Sequence, residues 1–312
     1  MNKHIAPEDS LDAIRFLNET DEQGVLAVII GVSGPSYRPV GAMMAVTASG
    51  HSLGTLSSGC VEKDIILNAK SALHTGKPKV VRYGLGSEIM DIILPCGGGL
   101  EILLLPTPSK TLMHSIVEET GHRRPVLLQV HPEAGIAVST SEDDSFAPAT
   151  CRILMLPKLR FILFGKGSEI TTFANLVNSL GYEQCICSPD EHELSQLKHT
   201  LSSTIHLNAP RWPTDVHTDP WTAILLFFHD HEREPPILLH ALLKPCHFIG
   251  AQGSRKTAAT RRDRLRTIDP NINLEQLAGP IGLIPSTRDA KTLAVSVLAE
   301  VLAKERITGF EA

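Results

Sequence analysis

The chain of 312 residues is about twice the length of an ordinary single domain, and with 42% hydrophobic and 20% charged residues it reads as a folded protein, so two domains are expected. Thirty-four acids against 29 bases give a formal net charge of −5 and no broad basic surface for nucleic acid or an anionic membrane. No uncharged apolar run reaches the roughly 18 residues of a membrane span, and MNKHIAPEDSLDAIRF lacks a signal-peptide core. A cytoplasmic protein with no membrane and no nucleic-acid partner is therefore expected. The six cysteines are too sparse for a disulfide scaffold and form no CxxC pair, so reduced thiols are the default.

In chain order, Leu11, Ile14, Phe16 and Leu17 predict a short amphipathic helix capped by Asp9 or Ser10. The β-branched run Val25–Val32 predicts a strand buried on both faces. After the loop GPSYRPVG, strands Ala42–Ala48 and Leu53–Ser57 flank a tight turn and predict a hairpin. Val61, Ile65, Ile66, Ala69 and Leu73 then mark a helix that Gly76 can stop. Strands KVVRYG and LEILLL follow, and residues 106–150 add a helix-like stretch and the strand pair VLLQV and IAVST. The polar segment SEDDSFAPAT marks the expected boundary, giving domains 1–150 and 151–312. Beyond it, RFILF, QCICS, TIHL, AILLFF and CHFIG alternate with helical segments, the rhythm of parallel βαβ units.

The motifs carry the candidate chemistry. Gly165 and Gly167 lie between a buried strand and a helix ending near Gly181, where a dinucleotide fold presents helix-start amides to a phosphate. Ile170 replaces the third glycine or alanine, and Ser188, with Asp190 two residues on, stands where a ribose-binding carboxylate would end the next strand. NAD(P) is therefore not expected, although an NAD(P)-dependent oxidoreductase, a packing turn and another phosphate-bearing ligand all stay open at this loop. A second turn, Gly253-Ser254-Arg255, adds a guanidinium at a helix start. Arg261, Arg262, Arg264 and Arg266 read as a solvated face, since no aromatics interleave with them.

Cys60 and Cys96 sit among glycines, and helix-start amides beside Cys60 would favour its thiolate. Burial as inert thiols is the alternative for both, and Cys151, Cys185, Cys187 and Cys246 read as packing residues. His229 and Asp230, after AILLFF, read as loop-shaping or ligand-contacting groups rather than metal ligands, because neighbours on an extended segment point to opposite sides. No GxSxG, HExxH or P-loop lysine motif is present.

In their order, GPSYRPVGAMMAVTASGHSLGTLSSGCVEKDI, CGGGLEILL, FGKGSEI, FFHDHEREPPILLHALL and FIGAQGSRKTAATRRDRL resemble the XdhC/CoxI family, the xanthine dehydrogenase accessory factors. The resemblance implies an α/β protein: an α+β N-terminal XdhC-like domain followed by a Rossmann-like parallel-sheet C-terminal domain. It also implies a maturation factor without turnover of its own. Such a factor binds molybdenum cofactor, protects it while its terminal sulfur is installed, and delivers it to a xanthine-dehydrogenase-type enzyme. The implied partners are a molybdenum hydroxylase apoenzyme and a cysteine desulfurase-type sulfur donor, with a homodimer left open. The implied cofactor-binding residues are Cys60, also the metal ligand, with Gly59, Glu62, Cys96, Gly165, Gly167, His229, Asp230, Gly253, Ser254 and Arg255. The sequence departs from the family pattern at Ser58, Ser188, Asp190, Ile284, Ser286 and Ala290.

Overall fold

A computed structural model describes residues 3–85, 87, 94–133, 135–139, 151–198 and 201–304. The expected boundary segment 141–150 lies outside the described residues. Two compact units meet in sequence between Pro157 and Lys158.

In the first unit the order is β1 (Lys3–Ile5), α1 (Ser10–Glu19), β2 (Gly24–Ser33), β3 (Met43–Thr47), β4 (Ser52–Gly54), α2 (Glu62–Thr75), β5 (Lys79–Gly84), β6 (Gly99–Pro106), α3 (Lys110–Gly121), β7 (Val126–His131), β8 (Gly135–Ser139) and β9 (Cys151–Met155). An antiparallel sheet runs β4-β3-β2-β6-β5, and a second sheet runs β1-β9-β7-β8. Alternation explains the unbroken apolar run of β2. Val25, Ala27 and Ile29 pack under α2 with Ile65 and Ala69, while Leu26, Val28 and Ile30 pack with Ile14, Ile116 and Leu128. Gly76 closes α2 in the left-handed conformation, as its position suggests. Strand β9, placed by the sequence at the head of the second domain, pairs with β1 and β7 and so belongs here.

The register brings several segments to one end of the five-stranded sheet. Ser33 faces Gly99, Gly84 faces Gly99, and Met44 near the start of β3 faces Gly54 at the end of β4. Segments 34–42 and 55–61, the chain after Gly84 and the chain before Gly99 therefore meet the sheet at the same end. The first and last of these touch closely enough to need glycine: a Cβ on Gly98 would lie 1.9 Å from the Pro35 carbonyl oxygen, and one on Gly84 would lie 2.2 Å from that of Gly98.

The second unit runs β10 (Arg160–Gly165), α4 (Ser168–Ser179), β11 (Glu183–Ser188), α5 (Glu191–Gln196), β12 (Ser202–His206), β13 (Thr222–Phe227), a short 3-10 turn (His231–Arg233), α6 (Glu234–Ala241), β14 (Phe248–Ala251), α7 (Arg255–Ile268), β15 (Leu277–Ala278) and α8 (Ala290–Ala303). Its sheet is parallel throughout, in the order β12-β11-β10-β13-β14-β15. This is the doubly wound arrangement, with its crevice between β10 and β13. Helices cover both faces: Phe161 and Leu163 pack against Phe173 and Val297, and Ile162 and Phe164 against Ile237 and Leu265.

Candidate functional site

The expected strand Leu53–Ser57 stops at Gly54, because the following backbone turns to serve a carboxylate. Glu62 accepts from Thr55 Oγ1 (2.6 Å), the amides of Leu56 (3.0 Å) and Ser57 (2.8 Å), Ser57 Oγ (2.5 Å) and the amide of Val61 (3.2 Å). Burial alone would raise its pKa, but these donors outweigh burial and hold it at about 2. The Val61 amide, next to Cys60 at the start of the helix, thus serves Glu62. Cys60 is exposed, and Ser58 and Gly59 before it have φ of 60° and 101°, so the backbone turns through the left-handed region just ahead of the thiol. A Cβ on Gly59 would meet nothing within 4 Å.

Cys96 is also exposed, in the turn that Gly97 closes on the Leu94 carbonyl. Leu56, Val61, Leu94 and Leu100 share one buried cluster, so both cysteine loops are pinned to the same core. The Tyr83 hydroxyl, at the end of β5, donates to Asp64 (2.7 Å) in the first turn of α2. Burial and this carboxylate raise the tyrosine pKa, so the phenol stays protonated. The first unit therefore presents two exposed thiols on glycine-bearing loops at one sheet end.

In the second unit the Gly165–Gly167 turn lies at the carboxyl edge, as expected. A Cβ on Gly165 would lie 2.5 Å from the Phe227 carbonyl oxygen, which fixes glycine there for packing. The Gly167 amide, which a phosphate would use, donates instead to Glu193 Oε1 (2.9 Å). Thr171 Oγ1 (2.6 Å) and Ser188 Oγ (3.2 Å) donate to the same carboxylate. The sequence reading missed Glu193. Its signal was the spacing from Asp190, which caps α5 by accepting from the Glu193 amide (3.0 Å), a capping-box pattern whose glutamate turns toward the glycine loop. His229 Nε2 lies 3.2 Å from Glu169 Oε2 across the crevice. Asp230 accepts from the Glu232 amide (3.2 Å) and starts the 3-10 turn.

At α7, Ser254 caps the helix by accepting from the Thr257 amide (3.1 Å), and Arg255 is exposed beside Gly253. The arginines that follow are not one solvated face. Arg261 is buried and donates through Nε (2.6 Å) and Nη2 (3.2 Å) to the fully buried Glu234, while Nη2 also donates to the Gln252 carbonyl (2.5 Å). Arg262 donates to the carbonyls of Leu274 (3.0 Å) and Leu277. Only Arg264 and Arg266 are exposed, paired with Glu232 and Asp263. Helical periodicity turned two of the four inward, where they satisfy buried acceptors. Cys185, read as a packing residue, is partly exposed and lines a cavity. Among the described residues no group of three or more His, Cys, Asp or Glu side chains is arranged to hold a metal ion.

Residues 17–84 match the XdhC and CoxI family, and residues 161–301 match the XdhC Rossmann domain. The chain is 30% identical to the molybdenum cofactor insertion chaperone PaoD of Escherichia coli (strain K12), over 94% of this chain and 88% of that protein. It is 24% identical to a protein of Bacillus subtilis (strain 168) described as a probable xanthine dehydrogenase subunit, over 92% of this chain and 94% of that one. A crystal structure described as a xanthine dehydrogenase from Bacillus halodurans, 22% identical, shares the fold with a TM-score of 0.78 over 94% of this chain and 95% of that one.

Proposed function

Since the chain belongs to the XdhC and CoxI family, we propose that it is a cytoplasmic molybdenum cofactor chaperone that turns over no substrate of its own. It holds the cofactor during sulfuration by a cysteine desulfurase-type donor and passes it to the apoenzyme of a xanthine-dehydrogenase-type molybdenum hydroxylase. The observation that carries this reading is the pair of exposed thiols, Cys60 and Cys96, on loops leaving one end of the first unit's sheet. Sulfur is a soft donor suited to this metal. The cofactor brings a molybdenum centre held by a pterin dithiolene, and a phosphate.

Within the first unit, Cys60 holds the metal and Cys96 offers a second sulfur contact. Gly59 leaves the approach to Cys60 open. Glu62 positions the loop: its bonds run to residues 55–61, so it shapes the backbone rather than contacting the cargo. In the second unit, Gly253, Ser254 and Arg255 form an anion site of their own, with His229 and Asp230 shaping the crevice. Gly165 and Gly167 serve the turn. The Glu193 carboxylate on the Gly167 amide opposes a dinucleotide phosphate there and speaks against an NAD(P)-dependent oxidoreductase.

The test is to produce the chain in a host that makes molybdenum cofactor and to measure molybdenum and pterin per chain. Cys60→Ala should lose most of the bound cofactor, and Cys151→Ala, at a buried thiol of the same unit, should keep it. Equal retention in the two variants overturns the role of Cys60.

A further inference from the structure

A cavity of about 670 Å³ opens at the amino ends of β10, β11 and β12, the opposite edge of the sheet from the glycine turns. Arg160, Glu183, Cys185, Ser203, Asp215 and His217 are among its lining residues. Cys185 and Cys187 are two apart on β11 and so share a face of the sheet. Their sulfurs lie 3.9 Å apart, Cys185 toward the cavity and Cys187 fully buried behind it.

Two features of this pair decide what it can do. Two metal–sulfur bonds of about 2.3 Å at a tetrahedral angle set their sulfurs about 3.8 Å apart, which matches the separation found. A disulfide needs sulfurs at about 2.05 Å and Cα atoms no more than about 6.8 Å apart, and two strand residues already span roughly 6.6–6.8 Å. β11 is bonded on both sides, to β10 and β12, and is not free to pucker. The sulfurs stand at the separation of two ligands on one metal ion, and a disulfide would need them to close from 3.9 Å to about 2.05 Å.

We propose that Cys185 and Cys187 form a two-thiolate site for one soft, thiophilic cation of the zinc, cadmium or copper(I) class, entered through this cavity. It is independent of the cofactor reading. Binding replaces each S–H bond with a sulfur–metal bond and releases the protons; no electrons are transferred. No third ligating side chain completes a cluster among the described residues, so solvent entering through the cavity would have to complete the coordination. The two sulfurs lie within hydrogen-bond reach of each other, and either can be the donor.

The experiment uses the full chain with Cys60→Ser and Cys96→Ser, which removes the exposed thiols, titrated with cadmium ion and followed by the sulfur-to-cadmium charge-transfer band. One cadmium per chain is expected. Adding Cys185→Ser or Cys187→Ser should each weaken binding at least about a hundredfold, whereas Cys246→Ser should leave it unchanged. Unchanged affinity in Cys187→Ser, or a cadmium shared between two chains, overturns the proposal. If the strand variants fail to fold, alkylation of the unsubstituted protein decides. Cadmium should protect Cys185 from iodoacetamide without altering Cys246, and absence of protection, or loss of two hydrogens from the 185–187 peptide in air, overturns the site.

Discussion

The starts of α2 and α4 present the same sequence signal, a glycine turn running into a helix, and both are occupied by the chain's own glutamates. In the first unit Glu62 gathers donors from residues 55–61, all within its own loop. In the second, Glu193 reaches Gly167 from 26 residues away, across to the neighbouring βα unit, and takes few bonds. The lesson is that helix-start amides mark where an anion is wanted without saying whose anion it is. Glu62 is built into its loop, and the thiol beside it is left exposed. Glu193 is a tertiary contact that substitution can remove without dismantling the turn.

A third carboxylate, Glu234, sets the upper end of this comparison. Glu234→Gln strips the buried Arg261 of its counter-charge and should cost roughly 3–5 kcal/mol in chemical denaturation. A loss below about 1 kcal/mol would mean that the second unit is not organised around that pair.

The open helix start should behave differently from the filled one. Arg255→Ala is expected to weaken pyrophosphate binding, measured by calorimetry, by roughly 1.5–3 kcal/mol with stability nearly intact. Lys166→Ala, beside the amide that Glu193 fills, should cost less. The reverse order would show that the anion site is the Gly165 turn.

Glu62→Ala should destabilise the first unit by roughly 1–2 kcal/mol, a figure reduced from the full pKa linkage because the carboxylate is partly exposed. The pH dependence has a definite sign. Glu62 is held at about 2, below its ordinary 4.5, so its contribution is present above about 4.5 and is lost as pH falls through about 2. Acid titration of stability should therefore be shallower in Glu62→Gln than in the unsubstituted chain over that window. Parallel curves would refute the assignment.

The smallest effect belongs to Glu193→Ala, under about 1 kcal/mol in stability, since its contacts are few and at the edge. The same variant should raise the melting temperature gained from added pyrophosphate, because the Gly167 amide becomes available. No gain would show that the Gly165 turn serves packing alone.

Local pattern carried much of the architecture. The two-faced apolar run of β2, the stop at Gly76, the alternation that makes the second unit a parallel sheet and the family's ordered glycine motifs are properties of adjacent residues, so spacing alone reports them. Cys60 and Cys96 were legible as candidates for the same reason, and both are exposed. What the tertiary structure decided was pairing across distance. β9 joins the first unit because its edges fit β1 and β7, and Arg261 turns inward because Glu234 waits there. Glu193 takes the Gly167 amide from another βα unit, and Cys185 faces a cavity that exists only once three strands lie side by side. A residue's type and spacing fix which bonds it can make. Which partner satisfies them depends on what the folded chain brings within about 3 Å.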